Sequence, residues 1–245
     1  MNKFINEWKP AIFNTFVYVL FAVSLTFLSL GQIILLFVLG MICTVLGNSI
    51  LLHRYYTHQQ FKLSKWVEYL LLPFAILLGI GSPLMYATMH RQHHRVCDSQ
   101  GDPHSPSKLG KWSVFLGIWE FYPTSYFKGL NAPLAKDLFK IPLQKFIHIH
   151  YYTIWSGMFL ATSLIDWKVA VAIFGFIPVY QKVFENFIVN GICHPGPDIL
   201  DWPKFGILTG GESMQKFHHD NPNIIKYSNN WLVDPSYLLI KVIKK

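Results

Sequence analysis

Histidine is the residue type that says most about chemistry in this chain. Eight of its eleven histidines lie in four groups just outside long apolar stretches, namely His53 with His58, His90 with His93 and His94, His194, and His218 with His219. Neutral imidazole is the commonest protein ligand for redox-active first-row metals, and these groups supply enough nitrogens for more than one ion. The pattern predicts a metal enzyme embedded in a membrane.

Spacing within the groups indicates which side chains share a surface. His90, His93 and His94 stand at positions i, i+3 and i+4, so they project from one face of a helix and can converge on a metal. The same spacing returns in Gln215, His218 and His219.

The pair His53 and His58 is harder to place, because residues five apart do not share a face of a straight α-helix. The two side chains would converge if the helix ended or unwound at Tyr55-Tyr56. The sequence leaves this point open.

Composition places the chain in a bilayer. Hydrophobic residues make up 52% of it and charged residues only 14%, which is too apolar for an ordinary soluble domain. The run from Ala11 to Leu52 contains no Asp, Glu, Lys or Arg, and it is long enough to cross a membrane twice at about 20 residues per span.

We therefore predict an all-α membrane protein that forms a single domain over residues 1–245. Four transmembrane helices are expected at about 11–30, 32–52, 146–165 and 167–188, with the first turn at Gly31 and Gln32. The apolar stretch from Val67 to Met89 is interrupted by proline and glycine, which favours a re-entrant or interfacial helix. Residues 53–145 and 190–245 are expected to form a cytosolic helical cap that holds the metal site.

The basic residues indicate the orientation. Of the 21 Lys and Arg residues, all but Lys168 and Lys182 fall in 1–10, 53–145 and 190–245. The positive-inside rule then places both termini and the metal site in the cytoplasm. The net charge of +8 is explained by this topology, and no basic patch with interleaved aromatic residues predicts a nucleic-acid partner.

The histidine motifs carry a family resemblance. The segments His53-Arg54-Tyr55-Tyr56-Thr57-His58 and His90-Arg91-Gln92-His93-His94 resemble the first two histidine boxes of the membrane fatty acid desaturases. Asn190-Gly191-Ile192-Cys193-His194, Gly211-Glu212 through His218-His219, Asp102-Pro103-His104 and Trp231 to Pro235 are similar to elements of the stearoyl-CoA desaturase-like, acyl-CoA Δ9 branch.

This resemblance implies a non-haem di-iron centre of two iron ions that uses O2 and two electrons to introduce a cis double bond into a long acyl chain. The double bond is expected near Δ9, in an acyl-CoA or acyl-lipid substrate. The implied metal ligands are His53, His58, His90, His93, His94, His194, His218 and His219. Asn190 would act through a bound water, and Glu212 would either bind metal or orient a histidine.

Gln215 departs from the pattern of that branch, which usually has histidine at this position. Front-end desaturases tolerate the same glutamine. Its side-chain oxygen can bind iron, although less strongly than imidazole. The front-end enzymes generally carry a fused cytochrome b5 domain, for which this chain has no room. We therefore expect electrons from a separate cytochrome b5, ferredoxin or rubredoxin-like donor.

Two other classes of protein stay open. A membrane di-iron hydroxylase or monooxygenase of lipid or hydrocarbon would use the same iron chemistry, and a histidine-rich metal or haem transport protein would use the same ligands without catalysis. The remaining histidines, His104, His148 and His150, are expected to be interfacial or to support ligands. No role is assigned to Cys43, Cys97 and Cys193, which are too scattered for a thiolate site.

Overall fold

The computed structural model describes residues 3–128, 132–196 and 198–245, and every regular element within these ranges is a helix. The long helices are α2 (Lys9–Leu25), α3 (Leu30–Thr57), α4 (Lys65–Leu77), α5 (Pro83–Val96), α10 (Pro142–Ile165) and α11 (Trp167–Ile192). The short ones are α1 (Lys3–Glu7), α6 (Pro106–Leu109), α7 (Lys111–Phe115), α8 (Thr124–Lys128), α9 (Lys136–Phe139), α12 (Gly206–Thr209), α13 (Gln215–Asp220) and α14 (Pro235–Ile243). Single 3₁₀ turns lie at Ile118–Phe121, Ala132–Ala135 and Pro203–Phe205. The prediction of an all-helical protein is confirmed.

The turn between α2 and α3 lies earlier than the sequence suggested. Ser29 caps α3 by accepting a hydrogen bond from the backbone N–H of Gln32, whose side chain accepts one from the backbone N–H of Ser29 in return. This capping box satisfies donors that the first turn of a helix leaves unpaired. The prediction of a turn at Gly31 and Gln32 is therefore wrong, because both residues already belong to α3.

The second half of α3 is π-helical from Thr44 to Thr57, and the last turns of α11 are π-helical from Glu185 to Ile192. A π-helix is bonded from residue i to residue i+5; it is rare, and it occurs frequently at functional sites. The amide of His58 accordingly donates to the carbonyl of His53 at 3.0 Å. The helix does not unwind at Tyr55-Tyr56; its wider turn is what brings two histidines five residues apart to the same side.

The apolar stretch from Val67 to Met89 is broken into α4 and α5. Helix α4 continues through Pro73, and the break comes at Gly79 and Gly81, which both have positive φ angles. The rings of His58 and His90 lie 5.1 Å apart, so this stretch does not carry them to opposite sides of the molecule.

The core of the bundle is formed where α11 packs against α2, α3 and α10. Gly175 allows α11 and α2 to approach closely, since a Cβ atom at this position would lie 2.5 Å from the backbone nitrogen of Phe21. Such small residues let backbones pack directly in membrane proteins.

The Gly175→Ala variant should lower the free energy of unfolding by roughly 1–3 kcal/mol, because the new methyl group must push two helix backbones apart. Gly157→Ala is the matched control: Gly157 lies in α10, and a Cβ atom there meets nothing within 4 Å. The control should be neutral or slightly stabilised, since alanine favours helix. Thermal unfolding of both variants in detergent measures the difference, and equal stability would contradict the close packing.

Two helices of the described residues are long and apolar enough to cross a membrane, Leu30–Thr57 and Trp167–Ile192. Large apolar side chains also face outward at the end of α10, where Leu164 and Ile165 are 90% and 89% exposed. Exposed apolar surface of this kind fits lipid better than water. These features suggest a membrane protein.

Candidate metal centre

Four histidines from three helices form a closed ring of nitrogen atoms. The Nε2 atom of His53 lies 2.9 Å from that of His90 and 3.1 Å from that of His218. The Nε2 atom of His94 lies 3.0 Å from that of His90 and 2.8 Å from that of His218. Neighbouring ligands at right angles around a metal lie about 3.0 Å apart when each metal–nitrogen bond is about 2.1 Å. The ring therefore has the dimensions of four ligands around one ion.

His58 completes this first histidine group. Its ring centroid is 4.7 Å from that of His53, 4.8 Å from His94, 4.6 Å from His218 and 5.1 Å from His90, so it lies almost equally far from all four. Its buried Nε2 atom has no hydrogen-bond partner. A buried nitrogen without a partner is costly, and a metal ion would satisfy it.

A second histidine group lies next to the first and contains His93, His194 and His219. The Nε2 atoms of His93 and His219 are 3.2 Å apart, and the His219 ring stacks on His94 of the first group at 4.3 Å. One donor atom from each of the three histidines and the sulfur of Cys97 all lie within 4.8 Å of one another. Two adjacent groups of ligands can hold two ions.

Acidic side chains fix the orientation of three of these rings. His53 Nδ1 lies 2.5 Å from Glu212 Oε2, His93 Nδ1 lies 2.8 Å from Asp102 Oδ2, and His194 Nδ1 lies 3.4 Å from Asp98 Oδ2. An ionised carboxylate only accepts hydrogen bonds, so Nδ1 carries the proton and Nε2 presents its lone pair. Carboxylates commonly orient metal-binding histidines in this way.

The charge state of the acids agrees with this assignment. Burial by itself would raise the pKa of Asp102 and Glu212, but the hydrogen bonds and charges of neighbouring His93, His53 and Arg54 lower the pKa of each below its ordinary value. Burial and then the neighbouring imidazoles lower the pKa of His90, His94 and His218. The lowered pKa of these three histidines favours their neutral form, which is the form that binds metal.

Gln215 faces the second group. Its amide nitrogen donates to the backbone carbonyl of Glu212 at 2.6 Å, so its oxygen points the other way and lies 3.2 Å from His194 Nε2. With the His194 proton on the side of Asp98, this contact joins two acceptors and no donor. A cation bound by both atoms would remove the repulsion between these two acceptors.

Glu212 and Asn190 lie outside both groups of donor atoms. The Glu212 carboxylate contacts His53 at Nδ1, on the side away from the ring of nitrogens, and accepts a hydrogen bond from Ser49. The amide of Asn190 lies 3.4 Å from Asn186 Oδ1, and Asn190 lines a cavity beside His90.

The remaining histidines divide into two kinds. His104 is buried against His93, with ring centroids 4.5 Å apart, and burial lowers its pKa to about 3. His148 forms a hydrogen bond with Ser82, and His150 lies at a kink in α10. Neither histidine belongs to the two groups.

Sequence reasoning gave no role to several residues that contact these histidines. Asp98 and Cys97 had no assigned function, yet both lie beside the second group. Tyr227 was also missed, although its hydroxyl lies 3.0 Å from Nδ1 of His218. The spacing of four residues between His93 and Cys97 was the available signal, since it places both on one face of a helix.

Comparison with known proteins gives the class of molecule that this fold and site define. Residues 28–227 match the model of the fatty acid desaturase family, and the chain belongs to that family. It is thus an oxidoreductase, a fatty acid desaturase, of a family known for non-haem di-iron chemistry.

Individual relatives have related activities in their names. Delta-9 acyl-lipid desaturase 2 of Arabidopsis thaliana is 32% identical over 80% of this chain and 66% of that protein. Acyl-CoA C20 Delta5-desaturase of Anemone leveillei is 29% identical over 85% of this chain and 69% of that protein. A probable chloroplastic lipid desaturase of Arabidopsis thaliana is 27% identical over 78% of this chain, and the match spans only 55% of the relative.

Proposed function

We propose that this protein introduces a cis double bond into a long-chain fatty acyl group, near Δ9, with a histidine-bound di-iron centre. The observation that carries the proposal is the ring formed by the Nε2 atoms of His53, His90, His94 and His218, completed by the unpartnered nitrogen of His58. Family membership supplies the chemical class, and the ring supplies a set of donors that fits one iron.

The second iron would be held by His93, His194 and His219, with the oxygen of Gln215 facing His194. An amide oxygen is a weaker ligand than imidazole, so this site would bind its ion less tightly than the first. Glu212 would orient His53 and so would not bind metal, and Asn190 would act through a bound water molecule.

When bound, the two irons would supply the oxidant that removes two hydrogens from the acyl chain while O2 is reduced to water. The protein's own residues position and enclose that centre. The carboxylates of Asp98, Asp102 and Glu212 hold three imidazoles with Nε2 toward the metals, and their hydrogen bonds keep those rings from rotating.

A cavity beside the proposed metal ligand His90 is a suitable place for the acyl chain. His90 and Asn190 line it, together with residues from the start of α2, from the break between α4 and α5, and from α10. Binding of the acyl chain in this cavity would determine which carbon meets the metal centre. The lining includes Phe13, Ile80, Met85, Met89, Trp119, Tyr151 and Tyr152.

In the membrane, we propose that α2 and α10 cross alongside α3 and α11, which makes four spans. The ligands from α3 and from the segment after α11 then lie at or just beyond the ends of these helices, on one side of the bundle, and the described residues of 53–145 and 190–245 cap the site. The basic residues concentrated in these segments favour the cytoplasmic side, where a separate donor such as cytochrome b5, ferredoxin or a rubredoxin-like protein would deliver electrons.

The names of the relatives leave two substrate forms, since one refers to acyl-CoA and another to acyl-lipid. The shared chemistry is a long saturated acyl chain. We therefore propose this substrate class, with either headgroup, for the chain.

Expression in a host that lacks its own desaturase tests the proposal. Fatty acids are released from the lipids, derivatised to locate double bonds and identified by gas chromatography with mass spectrometry. We expect a new cis-monoene that is absent from the host with empty vector. A hydroxylated product would instead favour the monooxygenase, and bound metal without any lipid product, even with a supplied electron donor, would favour a transport protein.

A further inference from the structure

Cys97 lies beside the second histidine group. It directly follows α5 and comes four residues after His93, so both side chains lie on one face at the end of that helix. Its sulfur is 3.8 Å from His93 Nε2, and it lies within 4.8 Å of the donor atoms of His194 and His219.

We propose that Cys97 is a sulfur ligand of the second metal ion, together with His93, His194 and His219. This inference rests on the proposed metal function, and it makes the two metal sites chemically different. The first group offers five imidazole nitrogens, and the second offers three imidazoles and a sulfur.

The distances fit a shared ion. With a metal–nitrogen bond of about 2.1 Å and a metal–sulfur bond of about 2.3 Å, neighbouring nitrogen and sulfur ligands lie about 3.1–3.8 Å apart for angles between 90° and 120°. The separation of 3.8 Å between Cys97 and His93 lies at the upper end of this range, and that of 3.2 Å between His93 and His219 fits two nitrogen ligands.

The donor set gives a reason for the sulfur. Gln215 brings only a neutral amide oxygen to the second group. A thiolate brings a negative charge and a strong bond, so it offsets the weak ligand. On binding, the bond between sulfur and hydrogen breaks, the metal–sulfur bond forms, and one proton passes to the solvent without any change in oxidation state.

The other two cysteines lie elsewhere and provide matched controls. Cys43 lies in α3 and is buried in an apolar cluster with Leu78 and Ile177. The sulfur of Cys193 contacts the backbone oxygen of Ser213 at 3.5 Å. Neither belongs to a group of converging donor atoms among the described residues.

Cobalt(II) is the probe for this ligand, because a cobalt–thiolate bond gives a near-ultraviolet charge-transfer band that imidazole and amide ligands do not give. The full chain is purified in detergent, stripped of metal with a chelator and titrated with cobalt. Wild type and the variants Cys97→Ser, Cys43→Ser and Cys193→Ser are compared for the band and for the number of ions bound per chain.

We expect the band in wild type and in both controls, and its loss in Cys97→Ser with at least tenfold weaker binding of the second ion. A thiol reagent gives a second readout, since Cys97 lines a surface depression with Asp98, Ser107 and Ile199. Cobalt should protect Cys97 from alkylation in wild type.

Three results would overturn the inference, and they are distinguishable. Two bound ions without the band, or an unchanged band in Cys97→Ser, would exclude the sulfur ligand and leave the proposed function standing. Absence of metal binding in wild type would overturn the metal function and this inference together.

Discussion

Replacing His218 with alanine should abolish the double-bond product and remove the ion from the first histidine group. His218 Nε2 occupies one corner of the ring and contacts two other corners, His53 at 3.1 Å and His94 at 2.8 Å. Changes to residues that only orient a ligand already lower metal affinity or activity by about 10–100-fold, so loss of a ligand itself should exceed about 100-fold. Lipid profiling measures the product, and elemental analysis of the purified variant measures the iron.

His150→Ala is the control for this experiment. His150 lies on the exposed side of a kink in α10, away from both histidine groups. Product and iron content should both stay close to those of wild type. Equal expression and membrane insertion of the two variants would show that the difference comes from the metal centre, whereas full activity in His218→Ala would remove the ring from the proposed mechanism.

The arrangement of this ring was only partly predictable from the sequence. The spacing of His90, His93 and His94 indicated one helical face, and α5 presents all three from one. Yet the neighbours His93 and His94 contribute to different groups. Which histidine joins which group depends on the contacts of α5 with α3 and α13. These two helices are more than 100 residues apart from each other in the chain, and no local pattern encodes such contacts.

The π-helical part of α3 was not predictable for a different reason. Propensity and periodicity describe α-helices, and a spacing of five residues gives no α-helical face to recognise. The convergence of His53 and His58 depends on how Thr44–Thr57 packs in the fold, where nearly every residue is buried. The turn before α3 is determined by the capping residues Ser29 and Gln32, and the turn preference of Gly31 points to a later position.

A buried ion pair beside the ring leads to the prediction with the largest effect on stability. Arg54 is fully buried, and its guanidinium lies 2.9 Å from Asp234 and 3.4 Å from Glu212. It also donates to the backbone carbonyl of Ile225 at 2.8 Å and lies 3.9 Å from the centre of the Tyr227 ring. These contacts attach the C-terminal segment to α3 and hold Tyr227 against His218.

The Asp234→Asn variant should lower the free energy of unfolding by about 3–5 kcal/mol, because it removes the closer of the two carboxylates that pair with the buried Arg54. Asp234 also accepts from the amide of Tyr227 at 2.8 Å, so part of the segment that positions His218 should loosen. Thermal unfolding in detergent measures the loss, and iron content should fall with it.

Asp220→Asn is the matched control, since Asp220 pairs with Lys216 at 3.1 Å on the surface, where both side chains are about 60% exposed. Exposed pairs contribute less than about 1 kcal/mol because water and salt screen them, so this variant should unfold close to the wild-type temperature. Equal stability of the two variants would contradict a structural role for the buried pair. A stable Asp234→Asn protein that had lost its iron would instead indicate that the pair serves chiefly to position Tyr227 and His218.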